Sequence, residues 1–135
     1  MIRPRKDYRD LGVWQEAVAL LSDIHLLVKR LPQDEQILLG TQLFQTALAP
    51  PALIAEGQQS GDRNRFLELL RKAGERLAEL EALLIVAEQA GQLSQRELEA
   101  LEFSRRNVLN PLQGLIGKVR RDVAVLQVED ARSIS

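Results

Sequence analysis

Two adjacent prolines stand inside an apolar helical stretch, and they constrain this chain more than anything else in it. The run Pro50, Pro51, Ala52, Leu53, Ile54, Ala55, Glu56 and Gly57 continues the apolar pattern straight through a site that breaks an ordinary helix. Proline removes a backbone donor and collides with the preceding turn. The pair therefore survives only where packing on both sides holds a kinked or restarted helix. Glu56 then places a charge on a greasy turn, and Gly57 is expected to close the element. An ionised carboxylate near a core must be paired or hydrogen-bonded. Glu56 is accordingly read as structural, accepting bonds from backbone groups freed by the prolines or pairing with an arginine of another helix.

Periodicity predicts four helices. The first runs from about Leu11 to Leu31 and stops at Pro32. It carries two apolar seams, one of Trp14, Val18, Leu21, His25 and Val28, the other of Val13, Ala17, Leu20, Ile24, Leu27 and Leu31. One bundle core needs only about three apolar positions in seven. The surplus predicts self-association. Asp34 is the expected cap of the second helix, kinked at the prolines. Asp62 caps the third, which Gly91 ends. Ser94 with Glu97 forms a capping box that opens the fourth. Pro111 is expected to bend that helix, and Gly114 and Gly117 to let a neighbouring backbone approach. Residues 1–9 read as a flexible basic arm, 10–126 as the bundle and 127–135 as a loose tail.

Composition supports helices. Apolar residues make up 45% of the 135 residues but aromatics only 4%, so the core must come from Leu, Ala, Val and Ile. Short connections between successive long helices imply an all-α, antiparallel up-down-up-down four-helix bundle. Cysteine is absent, which excludes disulfides and thiolate metal sites. No signal peptide or unbroken bilayer-length apolar span is expected, so the reading is a cytoplasmic protein without a membrane partner.

Chemistry is sparse. His25 is the only histidine and lies on the apolar seam, which favours a packed or interface residue over a catalyst. Glu75 and Glu79 share a helix face, but a di-iron bundle also needs Glu-x-x-His pairs, and Ser22 occupies the position three before His25. Neither a nucleophile elbow nor a glycine-rich phosphate loop is present. The expectation is a non-enzyme without metal, cofactor or small-molecule substrate. Trp14 is read as a core or subunit-interface anchor, and Trp14 and His25 as candidate oligomer-interface residues. The net charge of -1 hides basic clusters: Arg3, Arg5, Lys6 and Arg9 near the start, and Arg105, Arg106, Lys118, Arg120 and Arg121 in the last helix. These are the candidate nucleic-acid contacts. The same arginines suit helix-to-helix or subunit ion pairs.

The residues also carry a family resemblance. Asp10, Leu11, Val13, Trp14 and Gln15 resemble the opening Asp-Leu-x-Val-Trp-Gln of the bacterial four-helix-bundle proteins encoded by intervening sequences in large-subunit (23S) ribosomal RNA genes. Leu31 and Pro32 resemble that family's helix-ending Phe-Pro. Thr41, Gln42 and Leu43, followed by Pro51, Ile54, Ala55, Glu56 and Gly57, fall at the spacing of its Ser-Gln-Ile and Ile-Pro-Ser-Asn-Ile-Ala-Glu-Gly segment. Phe66, Leu77, Glu79, Leu80 and Glu81 follow at the places of its Phe and Leu-Ser-Glu-Leu-Glu. Trp14, Pro51, Glu56 and Gly57 are thus the fold-specifying positions. The resemblance implies a closed ring of five subunits. Relatives include the accessory variability determinant of diversity-generating retroelements, which implies RNA or a reverse transcriptase as partner. Phe44 and Gln45 stand where the family has paired arginines, Leu53 where it has Asn, Ser60 where it has Arg in the following loop, and Gly74 where an Arg is common. The resulting expectation is a homo-oligomeric scaffold or accessory protein for RNA or a ribonucleoprotein. The alternative is an oligomeric module that binds only protein.

Overall fold

A computed structural model describes residues 7–134, and within them the chain is all-helical. A short 3-10 turn, Tyr8–Asp10, precedes four helices: α1 (Gly12–Arg30), α2 (Gln33–Gln59), α3 (Arg63–Gln89) and α4 (Gln95–Ile134). Helix α1 packs on α2 and α4, and α3 packs on the same two, so each helix has two neighbours around one core. That core is aliphatic, with Leu20, Ile24, Leu43, Ile54, Leu70, Leu77, Leu80, Leu84, Val108, Leu112 and Val119 fully buried.

Local chemistry sets most boundaries. Leu31 leaves the helical region, and Gln36 Nε2 donates to the carbonyls of Leu31 (2.9 Å) and Lys29 (3.3 Å), tying off the end of α1. Asp62 accepts from the N–H groups of Asn64 and Arg65, capping α3 as expected. Ser94 and Glu97 exchange bonds of 3.0 and 3.1 Å, completing the capping box of α4. Gly91, at φ 77°, supplies the left-handed turn after α3 that other residues avoid.

Helix α2 departs from the sequence reading in three ways. It begins at Gln33 behind Pro32, so Asp34 is not its cap. The Asp34 side chain accepts only from the N–H of Glu35, at 3.2 Å. A π turn, Gln36–Gly40, adds a residue to the early helix and turns Gly40 inward, where a Cβ would meet Val28 Cγ1 at 2.9 Å. Gly57 does not close the helix, which continues to Gln59. Pro50 and Pro51 lie inside it and are buried. Contrary to the expectation that no segment is long and apolar enough to span a bilayer, α2 contains an 18-residue window that meets that test by length and composition, with a mean hydropathy of 1.3. Its apolar face, Leu43, Ala47 and Ile54, is spent on the bundle core.

Helical structure extends toward both ends of the described residues. Asp7 and Asp10 form a reciprocal capping box around the 3-10 turn. Helix α4 continues through Pro111 and on to Ile134. Val123 is its last buried residue, and residues 124–133 are exposed.

Candidate nucleic-acid interface

The predicted basic residues meet different fates. Arg3, Arg5 and Lys6 lie outside the described residues. Arg9 is already compensated: its Nη2 reaches Asp7 Oδ2 at 2.7 Å, and its guanidinium sits 5.6 Å from the centroid of the Tyr8 ring. The bond to Asp7 raises its pKa further. Arg105 is withdrawn from the candidate set, because it is only 6% exposed. Its Nε donates to Glu102 (3.1 Å), its Nη2 to Glu81 (2.6 Å) and its Nη1 to the carbonyl of Leu77 (3.4 Å). The helix turn that carries Val108 and Leu112 inward carries Arg105 toward α3, and burial requires those acidic partners.

The other four predicted cations of α4 remain open. Arg106, Lys118, Arg120 and Arg121 are exposed and make no ion pair with another described residue. Three- and four-residue steps keep side chains on one helix face. Phe103, Arg106, Asn110, Gly114, Gly117 and Arg121 follow such steps, on the side opposite buried Val108, Leu112 and Val119. Asn107, Gln113 and Lys118 flank this line and are also exposed. No Asp or Glu occurs from Phe103 to Arg121. The next acid, Asp122, has Arg63 of α3 at 3.8 Å. The outcome is a solvent-facing strip of cations and amides on a helix stretch that carries no carboxylate of its own; Glu16 of α1 shares a surface pocket with Asn107.

The strip's glycines do not admit a neighbouring helix. A Cβ on Gly114 would meet nothing within 4 Å, and one on Gly117 would meet only Arg121 Nη1 at 3.5 Å. The amides escaped the sequence reading, which counted charges and gave Gly114 to a helix crossing. The absence of acids over this stretch, read with the helical period, was the available signal.

The fold-specifying residues cluster elsewhere. Trp14 is half-buried, edge-on to Tyr8 at 5.2 Å between centroids. His25 is exposed and lies 5.5 Å from the ring of Phe44, so α2 already covers part of the α1 seam that runs from Trp14 to Val28. Glu56 is not near the core as expected. It is exposed and accepts from Arg65 Nη2 at 3.1 Å, an ion pair between α2 and α3. Pro51 is buried one turn before it. Gly57 is a contact residue, since a Cβ there would lie 2.7 Å from Phe66 Cδ1 and 3.3 Å from Phe66 Cα.

Glu97 has its carboxyl held below the ordinary range, first by the Ser94 backbone N–H and then by Arg30 of α1. These are structural ties. Among the described residues, no group of three His, Asp or Glu side chains could hold a metal ion.

Comparison with known proteins gives one match, to the family described as 23S rRNA-intervening sequence protein, over residues 9–114. No curated protein matches the chain.

Proposed function

Since the chain belongs to the 23S rRNA-intervening sequence protein family, we propose that it is a cytoplasmic, non-enzymatic, self-associating scaffold that binds RNA along the outer face of α4. One observation carries this reading: Arg106, Lys118, Arg120 and Arg121 are exposed, form no ion pair with another described residue, and lie on a helix stretch without an acid. In a chain of net charge -1 such a strip is local, and Arg suits bidentate phosphate contact. A ribonucleoprotein such as a reverse transcriptase complex is the corresponding larger partner.

Within this reading the helices alternate up and down. The pairs Asp23–Ser104 and Arg30–Glu97, and Glu81–Arg105 and Arg63–Asp122, support that direction, because numbering falls along α4 as it rises along α1 and α3. The buried prolines kink α2, and subunits close into a ring of five. Exposed Leu26, Ile37, Leu38 and Leu48 supply apolar surface for that contact. A ring repeats each strip, so modest contacts add in avidity.

Salt dependence tests the RNA reading. Phosphate contacts release counterions, so affinity should fall steeply from low to physiological salt. Alanine at Arg106, Arg120 and Arg121 should flatten that slope. A second reading, a module that binds only protein, draws on the exposed apolar residues of the α4 extension, Val125, Leu126 and Val128. Absence of RNA binding at low salt selects it. A sedimentation mass of one subunit at micromolar concentration removes the ring from either reading.

A further inference from the structure

We infer that the α4 strip is built for double-stranded RNA, laid across the shallow groove, an inference that rests on the RNA reading above. The order of side chains points there. Arg106 stands at one end and Lys118 and Arg121 at the other, while exposed Asn107, Asn110 and Gln113 lie between. At 1.5 Å per residue, Arg106 and Arg121 are about 22 Å apart along the helix. A-form RNA presents a wide, shallow minor groove displaying 2′-hydroxyls, with phosphates on both sides. A helix crossing it meets phosphate, hydroxyls and phosphate in turn. The strip offers cation, amides and cation in the same order.

Gly114 is the second, independent observation. Glycine inside a helix is less stable than alanine there. Packing gives no reason for it, since a Cβ would have nothing within 4 Å. A bare backbone facing open space, between the amides and the distal cations, lets an outside surface come close.

Single strands fit poorly, because sequence-tolerant binding of them relies on aromatic platforms for the bases. Phe103 is the one exposed aromatic among the described residues. Tyr8, Trp14 and Phe44 are half-buried and Phe66 is buried. A DNA duplex offers the phosphates but not the 2′-hydroxyls that reward the amides.

The test titrates the full chain at low salt against three probes: an RNA duplex of about sixteen base pairs, one of its strands, and a DNA duplex of the same sequence. The RNA duplex should bind several-fold more tightly than either. Arg106→Ala and Arg121→Ala should each lower the salt slope by about one. Asn107→Ala with Asn110→Ala should abolish the preference for RNA over DNA and leave the slope unchanged. Gly114→Ala should weaken duplex binding while raising the melting temperature, which separates contact from misfolding. If the strand or the DNA duplex binds as tightly as the RNA duplex, or G114A binds RNA unimpaired, the duplex inference is overturned and the RNA reading stands. Failure of every RNA probe to bind at low salt removes both.

Discussion

Gly57 at the crossing of α2 and α3 and Gly114 on the outer face of α4 are the same residue in helix interiors, with opposite surroundings. At the crossing, a Cβ would collide with the ring and backbone of Phe66. On the strip, a Cβ would touch nothing. Arg105 and Arg106 repeat the contrast one residue apart, the first enclosed by Glu102 and Glu81, the second open to solvent. An unusual residue that packing explains speaks of the fold. One that packing leaves unexplained speaks of something outside the chain.

Substitutions at these positions can break that contrast. Arg105→Ala should have the largest effect, about 3 kcal/mol of lost stability in urea unfolding, because it strands Glu102 beside the core. This is the low end for a buried pair, since the Glu81 side chain is 44% exposed and stays hydrated. Arg106→Ala should stay within about 0.5 kcal/mol of the parent. Equal losses at the two arginines would erase the distinction. Gly57→Ala should cost about 1–2 kcal/mol net, overpacking against Phe66 outweighing the helix propensity that alanine gains. Gly114→Ala should move the other way, stabilising by about 0.5–1 kcal/mol in the same assay. A loss there would mean that the α4 face is a packing surface after all.

The smallest effect concerns pH. Glu97 titrates below its unfolded value, so its contribution is fully present above the ordinary glutamate pKa of about 4.3 and is lost as pH falls through the lowered folded value. Glu97→Gln keeps a group that can reach back to Ser94 but removes the ion pair with Arg30. It should therefore be slightly less stable than the parent at pH 7, and the gap should close in acid. A constant gap across that range would assign the effect to the hydrogen bond alone.

Much of the architecture was legible because helix ends are local events. Asp62, Ser94 with Glu97, and Gly91 act on backbone groups within three or four residues, so the chain announces them. The aliphatic seams likewise named the core, including Leu20, Leu43, Leu77 and Val119. The π turn was not legible, since an extra residue in a turn changes phase without changing composition. Glu56 was misplaced for a related reason: its apolar neighbours suggested burial, yet its own phase on α2 points outward to Arg65. Counting basic residues put Arg105 with Arg106, although a step of about 100° separates them.

By itself, the sequence determined an aliphatic all-helical chain, the caps of α3 and α4, and its place in a family, because those follow from nearest-neighbour chemistry and period. Only the tertiary structure decided which charge is enclosed, which glycine is a contact and which face of α4 stays open. Those outcomes depend on the rotation of each helix against residues far away in the chain: Arg105 against Glu81, Gly57 against Phe66, and Gly114 against nothing.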